Sequence, residues 1–327
     1  MENWKITDYE AFLENILEIN SEEIETINKE LDSDFLYNEI TMLTNGYKKE
    51  RTVYSIDKYS LVYKCQNNIE KNFFNKVFFS SCAFGFIKSK SYFDYLSYHS
   101  SIGSNTFYLR LDVKNFFDSI QVGDFIECLQ YYIDDECPEV EKNNIIDLFI
   151  NIVTYKNHFV QGVVTSPDIS NLVFRSLDIR ICNYCNKLGI KYSRYADDLL
   201  FSSNNDYLHS KRFIKMIKSI IASKGFELNY DKILKQQNKL VINGYVVTDT
   251  INPSRKKLSS INKILFEIKN NKSITKTSWG AVDYHLLNYV CGYRCHLIQV
   301  SRYCDDNHKK KINKIINRIE DVVDRYF

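Results

Sequence analysis

A chain of 327 residues, 44% hydrophobic and 26% charged, holds enough apolar material for a substantial core. Its 3 prolines and 10 glycines exclude collagen-like repeats and low-complexity linkers. The formal net charge of +2 conceals an asymmetry: residues 1–40 hold 12 acids and 2 bases, a net of −10, so the remainder carries +12. No uncharged stretch reaches membrane-spanning length, and the start, Met1-Glu2-Asn3-Trp4, lacks the basic region and apolar run of a secretory signal. A cytoplasmic protein without a membrane partner is therefore expected. The nine cysteines form no small-domain framework, and reduced thiols are expected. Cys182-x-x-Cys185 has zinc-knuckle spacing but no second pair at a suitable distance, and Cys291, Cys295 and His296 fall on another apolar helical stretch, so buried free thiols are the simpler reading of both.

In chain order, residues 1–40 read as acidic amphipathic helices, with Phe12, Ile16, Ile19, Ile24, Ile27 and Leu31 near helical spacing. Mixed strand and helix follow from Lys48 to about Ile87. Thr106 to Val113 reads as a strand leading into the turn-forming run Lys114 to Ser119. A helical stretch is expected over 122–154, then a loop from Asn157 to Pro167. Another helix follows from Asp168, with Ile169, Val173, Leu177 and Ile181 spaced by four. Tyr192 to Ser203 reads as a hairpin, 207–224 as a helix, and Phe226–Tyr230 and Leu240–Val247 as strands. From 254 the chain is basic and mostly helical, including Trp279 to Val300. Strands and helices do not alternate as in a doubly wound fold, so the order is α+β.

The run Tyr195-Ala196-Asp197-Asp198 places two adjacent carboxylates at the tip of the hairpin, between apolar arms. Like charges held together call for a cation, and hard oxygen ligands suit Mg2+. Asp112 closes a second apolar strand. If the two strands are neighbours, three carboxylates converge, as needed for two Mg2+ ions that activate a 3′ hydroxyl and stabilise leaving pyrophosphate. Between them lies Gln161-Gly162-Val163-Val164-Thr165-Ser166-Pro167, where glycine permits close approach to backbone and Pro167 suits the first turn of a helix. Basic residues gather at Arg255, Lys256, Lys257, Lys263, Lys269, Lys272 and Lys276, and again at Arg302, Lys309, Lys310, Lys311 and Lys314, a pattern suited to phosphate backbones and equally to a solvated helix face.

Taken in order, Asp112-x3-Phe116-Phe117, Gln161-Gly-x2-Thr-Ser-Pro, Tyr195-Ala-Asp-Asp, Leu228-Asn229-x2-Lys232 and the Asn243-Gly244 turn resemble the palm motifs of reverse transcriptases over roughly residues 48–300. The resemblance implies a right-hand fold of fingers, palm and mostly helical thumb, and an RNA-directed DNA polymerase using two Mg2+ ions and dNTP substrates. It divides the chain into an acidic helical segment (1–47), fingers and palm (48–250), and a basic, RNA-binding thumb (251–327). It implies Asp112 and Asp197 as principal metal ligands, Asp198 as a more peripheral one, and Lys232 as the acid that protonates pyrophosphate. Arg51, Phe117, Gln161 and Gly162 would contact the dNTP, with Phe117 as the steric gate against a ribose 2′ hydroxyl.

Compact size and Phe84-Gly85-Phe86 upstream of Asp112 resemble bacterial retron enzymes of phage defence. Their Asn-Ala-x-x-His element is reduced here to His99, their Val-Thr-Gly reads Ile242-Asn243-Gly244, and two prolines common in the Gln-Gly loop are Val160 and Val164. The retron resemblance implies a structured noncoding RNA partner that serves as template and primer, its DNA product, and an effector protein. Two alternatives stay open: a defence-associated enzyme making repetitive, protein-primed or untemplated DNA, and an inactive palm serving as an RNA-binding scaffold.

Overall fold

The computed structural model describes residues 4–44, 49–100, 103, 105–271, 275 and 283–326. Within the amino-terminal segment, α1 (Tyr9–Phe12) is capped by Asp8, whose carboxylate accepts from the Ala11 amide at 2.7 Å, and passes into a π-helical turn, Leu13–Leu17. After α2 (Glu23–Leu31) the expected helical run ends early, because residues from Tyr37 enter β1 (Tyr37–Thr44), paired antiparallel with β2 (Lys49–Ile56). The acidic segment is anchored through its apolar face. Phe12 stacks on Phe149 at 5.8 Å, and the Glu30 carboxylate accepts from the Leu61 and Val62 amides, both at 2.9 Å. Those amides open α3 (Leu61–Asn72), where a negative group is favoured by the helix dipole. A short α4 (Tyr92–Ser97) follows, held by a Ser91–Asp94 capping box.

β3 (Phe107–Lys114) is the centre of the main sheet. Its neighbours are β5 (Asp198–Ser203) on one side and β6 (Glu227–Leu228) and β7 (Leu234–Gln237) on the other, with β4 (Lys191–Tyr195) outside β5, all antiparallel. Period-two alternation decides what each face carries. Leu109, Leu111 and Val113 enter the larger core with Leu199 and Phe201, while Tyr108, Arg110 and Asp112 share the opposite face. The larger core is completed by α5 (Val122–Gln130), α6 (Glu139–Val153), α7 (Ser166–Lys187) and α8 (Lys211–Ala222). The expected 122–154 helix is two helices: α5 ends at Gln130, Ile133 leaves the helical path to bridge Ile6, and the chain restarts as α6 at Glu139, directly after Pro138, whose fixed backbone suits a helix start.

Downstream, β8 (Leu240–Ile242), β9 (Tyr245–Val247) and β10 (Ile251–Pro253) form a meander. Asn243 and Gly244, at φ 49° and 81°, make its first turn, the pair of left-handed residues that a tight hairpin prefers. Three helices, α9 (Arg255–Asn270), α10 (Tyr284–Ser301) and α11 (Asp306–Tyr326), pack with this meander and α4 into a second core that includes Phe93, Tyr245, Leu265, Leu297 and Ile316. Lys272, Lys276 and the stretch from Trp279 to 282 lie outside the described residues. The mixed order of helices and antiparallel strands is the expected α+β arrangement. No described helix is long and apolar enough to cross a membrane.

Candidate active site

A cleft of about 420 Å³ opens over the end of β3, lined by Asp112, Phe117, Gln161, Asp197 and Lys232 together with Tyr54, Phe86 and Asn229. Asp112 is 2% exposed. Both of its carboxylate oxygens accept from the Lys232 ammonium, at 2.8 and 2.7 Å. Lys232 ends a 3₁₀ turn, Tyr230–Lys232, that β6 delivers alongside β3. Asp197 is half-buried on the same cleft, and its carboxyl is held above the usual carboxylate range by burial and then by the charge of Asp112. The Asp197 carbonyl accepts from the Val113 amide at 2.9 Å, which ties the turn to β3.

Asp198 shares the sheet face of Asp112 but is held by an arginine that also comes within 4.0 Å of Asp112. It lies directly opposite Asp112 in the sheet register, but its Oδ1 accepts from Arg110 Nε at 2.8 Å and Nη2 at 2.5 Å. Burial pushes its carboxyl up to about 6, against the opposing pull of the Arg110 guanidinium. Among the described residues the three carboxylates do not meet as one ligand cluster; Asp112 and Asp197 share the cleft and Asp198 pairs with arginine. The donor set of Asp112 and Asp197, hard oxygens at the mouth of a polar cleft, fits a divalent cation that keeps other positions for water and phosphate. The ammonium seated on Asp112 shows that this position attracts positive charge.

The dNTP-contact expectations are placed as follows. Gln161 lines the cleft, and its carbonyl accepts from the Tyr54 amide at 2.8 Å, docking the loop on β2. Gly162 sits at φ 108°, and a Cβ there would lie 2.3 Å from the Tyr54 carbonyl oxygen, so only glycine fits this approach. Of the two phenylalanines after Asp112, Phe116 is buried and Phe117 is the half-buried one at the cleft, 6.2 Å from the Phe86 ring. Arg51 belongs to β2, but its side chain lies outside the described residues.

Much of what holds the hairpin was not singled out from sequence. Ala196 adopts φ 54°, a left-handed conformation that costs a residue with a Cβ. Arg194, fully buried, restrains it: Nη1 donates to the Ala196 carbonyl at 3.2 Å, Nη2 to Asn171 at 3.0 Å, and the guanidinium pairs with buried Asp178 of α7 at 2.8 Å. Tyr192 donates to the same Asp178 at 2.7 Å. From the other side Gly85 presses on the turn, where a Cβ would lie 2.5 Å from the Ala196 nitrogen. The one available signal was charge inside apolar patterns: Arg194 in a strand of buried residues, and Asp178 on the row of Phe174, Leu177 and Ile181.

His99 fastens the two strands of the hairpin. Its imidazole, fully buried, reaches Ser202 Oγ at 2.6 Å and Ser193 Oγ at 2.7 Å, and burial pushes its pKa down to about 3. The neutral ring is thus the folded form, so its stabilisation is complete above the ordinary histidine pKa near 6.5 and is lost as pH falls toward 3. Comparing thermal or urea unfolding of the parent with His99→Gln across this window isolates the effect. The difference in stability should shrink with acidification, by at most about 1.4 kcal/mol per pH unit; a pH-independent difference would mean that His99 does not titrate on unfolding.

Comparison with known proteins bears on the whole arrangement. Residues 47–247 match the family described as Reverse transcriptase (RNA-dependent DNA polymerase). Retron Ec86 reverse transcriptase of Escherichia coli is 29% identical over 252 residues, covering 74% of this chain and 72% of that protein. Retron Ec73 reverse transcriptase of Escherichia coli is 32% identical over 160 residues, covering 47% of this chain and 49% of that protein, so the chain spans about half its length. Among solved structures, telomerase from Candida albicans aligns with a TM-score of 0.48 at 13% identity, covering 87% of this chain and 59% of that one.

Proposed function

The chain belongs to the reverse transcriptase family, and from that premise we propose that it makes a short DNA from a dedicated structured noncoding RNA, as a retron enzyme of antiphage defence. The retron reverse transcriptases among its relatives support this reading. The observation that carries it is the pairing of Asp112 and Asp197 on one cleft with Lys232, Gln161 and Phe117.

In this reading Asp112 and Asp197 would hold two Mg2+ ions, with Asp198 peripheral on Arg110. When bound, such ions supply activation of the attacking 3′ hydroxyl and charge stabilisation of the phosphoryl transfer. The chain's own part is positioning. Lys232, whose ammonium lies on Asp112 at the cleft, would be the residue that gives a proton to the departing pyrophosphate. Gln161 and the Gly162 backbone support the nucleotide, Arg51 grips its triphosphate, and the Phe117 ring occupies the space a ribose 2′ hydroxyl would need. The basic helices α9 and α11 serve as an RNA grip, since RNA duplexes are read through shape and phosphates.

Purification of the protein from cells that carry its native locus, followed by sequencing of the nucleic acid that accompanies it, tests the biology. One defined DNA joined to RNA is expected; repetitive or untemplated DNA would assign it to another defence class, and RNA without DNA would make it a scaffold. The gate has its own test. Phe117→Ala is expected to raise ribonucleotide incorporation, relative to deoxyribonucleotide, by about 10-fold or more in single-nucleotide primer extension. An unchanged ratio would remove Phe117 from that role.

A further inference from the structure

The palm helix α8 carries a feature that nucleotide addition does not use. Its sequence, Lys211-Arg212-Phe213-Ile214-Lys215-Met216-Ile217-Lys218-Ser219-Ile220-Ile221-Ala222, contains no acid. Phe213, Ile217 and Ile221 turn into the core, while Lys211, Lys215 and Lys218 follow one another at helical neighbour spacing over about 10 Å of helix axis. The nearby acids Asp124 and Glu127 are both taken up by Lys224, at 2.7 Å each. No described ion pair engages the three α8 lysines.

Facing them, the segment after β6 contributes Tyr230, Ile233 and Lys235, and the two elements enclose a groove of about 670 Å³. Its floor is apolar, from Ile214, Ala222 and Ile233, and its rim is lysine. Tyr230 is 55% exposed, with Lys218 Nζ 5.6 Å from its ring centroid. A solvated lysine face needs neither an apolar floor nor an exposed aromatic ring. The combination suits a strand with anionic backbone and flat, unpaired bases: phosphates on the lysines, a base stacked on tyrosine.

The groove is also continuous with the cleft. A smaller hollow shares Lys218, Ala222 and Tyr230 with it and shares Lys114 and Asn229 with the cleft that holds Asp112 and Asp197. Glu227 and Asp231 line that hollow together with Lys114 and Lys218, so its charge is mixed, and the charged lining becomes lysine alone in the α8 groove. A strand running out of the cleft by this path meets an exposed ring and an apolar floor that suit unpaired bases, and in RNA-directed synthesis the unpaired polynucleotide is the RNA beyond the reacting duplex. We infer that the α8 groove binds single-stranded RNA flanking the duplex held in the active site. This rests on the polymerase reading of the cleft.

The test uses the full chain, a fluorescein-labelled single-stranded RNA for anisotropy, and a short primer–template duplex for single-nucleotide extension. The triple variant Lys211→Glu, Lys215→Glu, Lys218→Glu is expected to weaken single-stranded RNA binding by about 10-fold or more between about 50 and 200 mM salt, and to reduce the slope of log K against log salt by about 2. Extension of the short duplex, which does not reach the groove, stays at the parental rate. Tyr230→Ala is expected to weaken RNA binding by about 10-fold and to remove a photocrosslink from thiouridine-substituted RNA to the 230 region. The milder Lys→Gln triple variant must act in the same direction, which guards against a folding defect. RNA affinity and salt slope unchanged in both triple variants would overturn the inference, as would loss of binding to anionic vesicles or single-stranded DNA with RNA binding intact. Absence of extension in the parent protein would instead overturn the reading of the cleft, and anisotropy would still decide the groove.

Discussion

Asp112→Asn and Asp197→Asn are each expected to lower nucleotide addition by about a thousandfold or more, in single-nucleotide primer extension at saturating Mg2+ and dNTP. Each substitution keeps the shape of the side chain and removes a charged oxygen donor from the position where a metal would meet the triphosphate, where such electrostatic stabilisation is worth most. The fold should tolerate the change. Burial and then the charge of Asp112 hold the Asp197 carboxyl above the usual carboxylate range, so Asp197→Asn relieves repulsion and its unfolding midpoint should be equal to or above that of the parent, whereas Asp112→Asn also gives up the ion pair with Lys232 and should gain less. Asp198→Asn is expected to cost clearly less activity, because that carboxylate is spent on Arg110 and not on the cleft. Equal losses at all three positions would refute this division of labour and restore a three-carboxylate ligand set.

Asp178→Ala is expected to destabilise the protein by about 3–5 kcal/mol, the cost of leaving a buried charge without its partner. Both members of the pair are 0% exposed at the side chain, so water cannot replace the lost carboxylate. Urea unfolding measures the effect. The double variant Asp178→Leu, Arg194→Met removes both charges and should regain much of that stability, yet DNA synthesis should stay low. Arg194 also holds the Ala196 carbonyl and Asn171, and without it the left-handed residue that aims Asp197 loses its restraint. Recovery of full synthesis in the double variant would show that the pair serves stability alone.

The hairpin was legible because its apolar arms and charged tip obey period-two alternation, and the row Ile169, Val173, Leu177 and Ile181 because α7 buries one face. β7 escaped notice: Leu234-Lys235-Gln236-Gln237 is short and polar, and the unpaired edge of β3 is what makes it a strand. The early end of the amino-terminal helices had a similar cause, since Tyr37 to Thr44 acquires its strand geometry from β2. Asp178 and Arg194 were individually readable as misplaced charges, but nothing in either local pattern says that the other is its partner 16 residues away.

What the sequence by itself determined was the chemistry: which carboxylates, which glycine, which aromatic and which lysine occur, and in what order, because local spacing and motif order are properties of the chain. The tertiary structure alone decided their assignments. Asp112 and Asp198 are equivalent as residue types and lie opposite each other across two strands, yet Asp112 faces the cleft while Asp198 is drawn onto Arg110. That choice depends on pairing register and on which side chains share a sheet face, quantities fixed only when segments far apart in the chain are packed together and compete for the same charge.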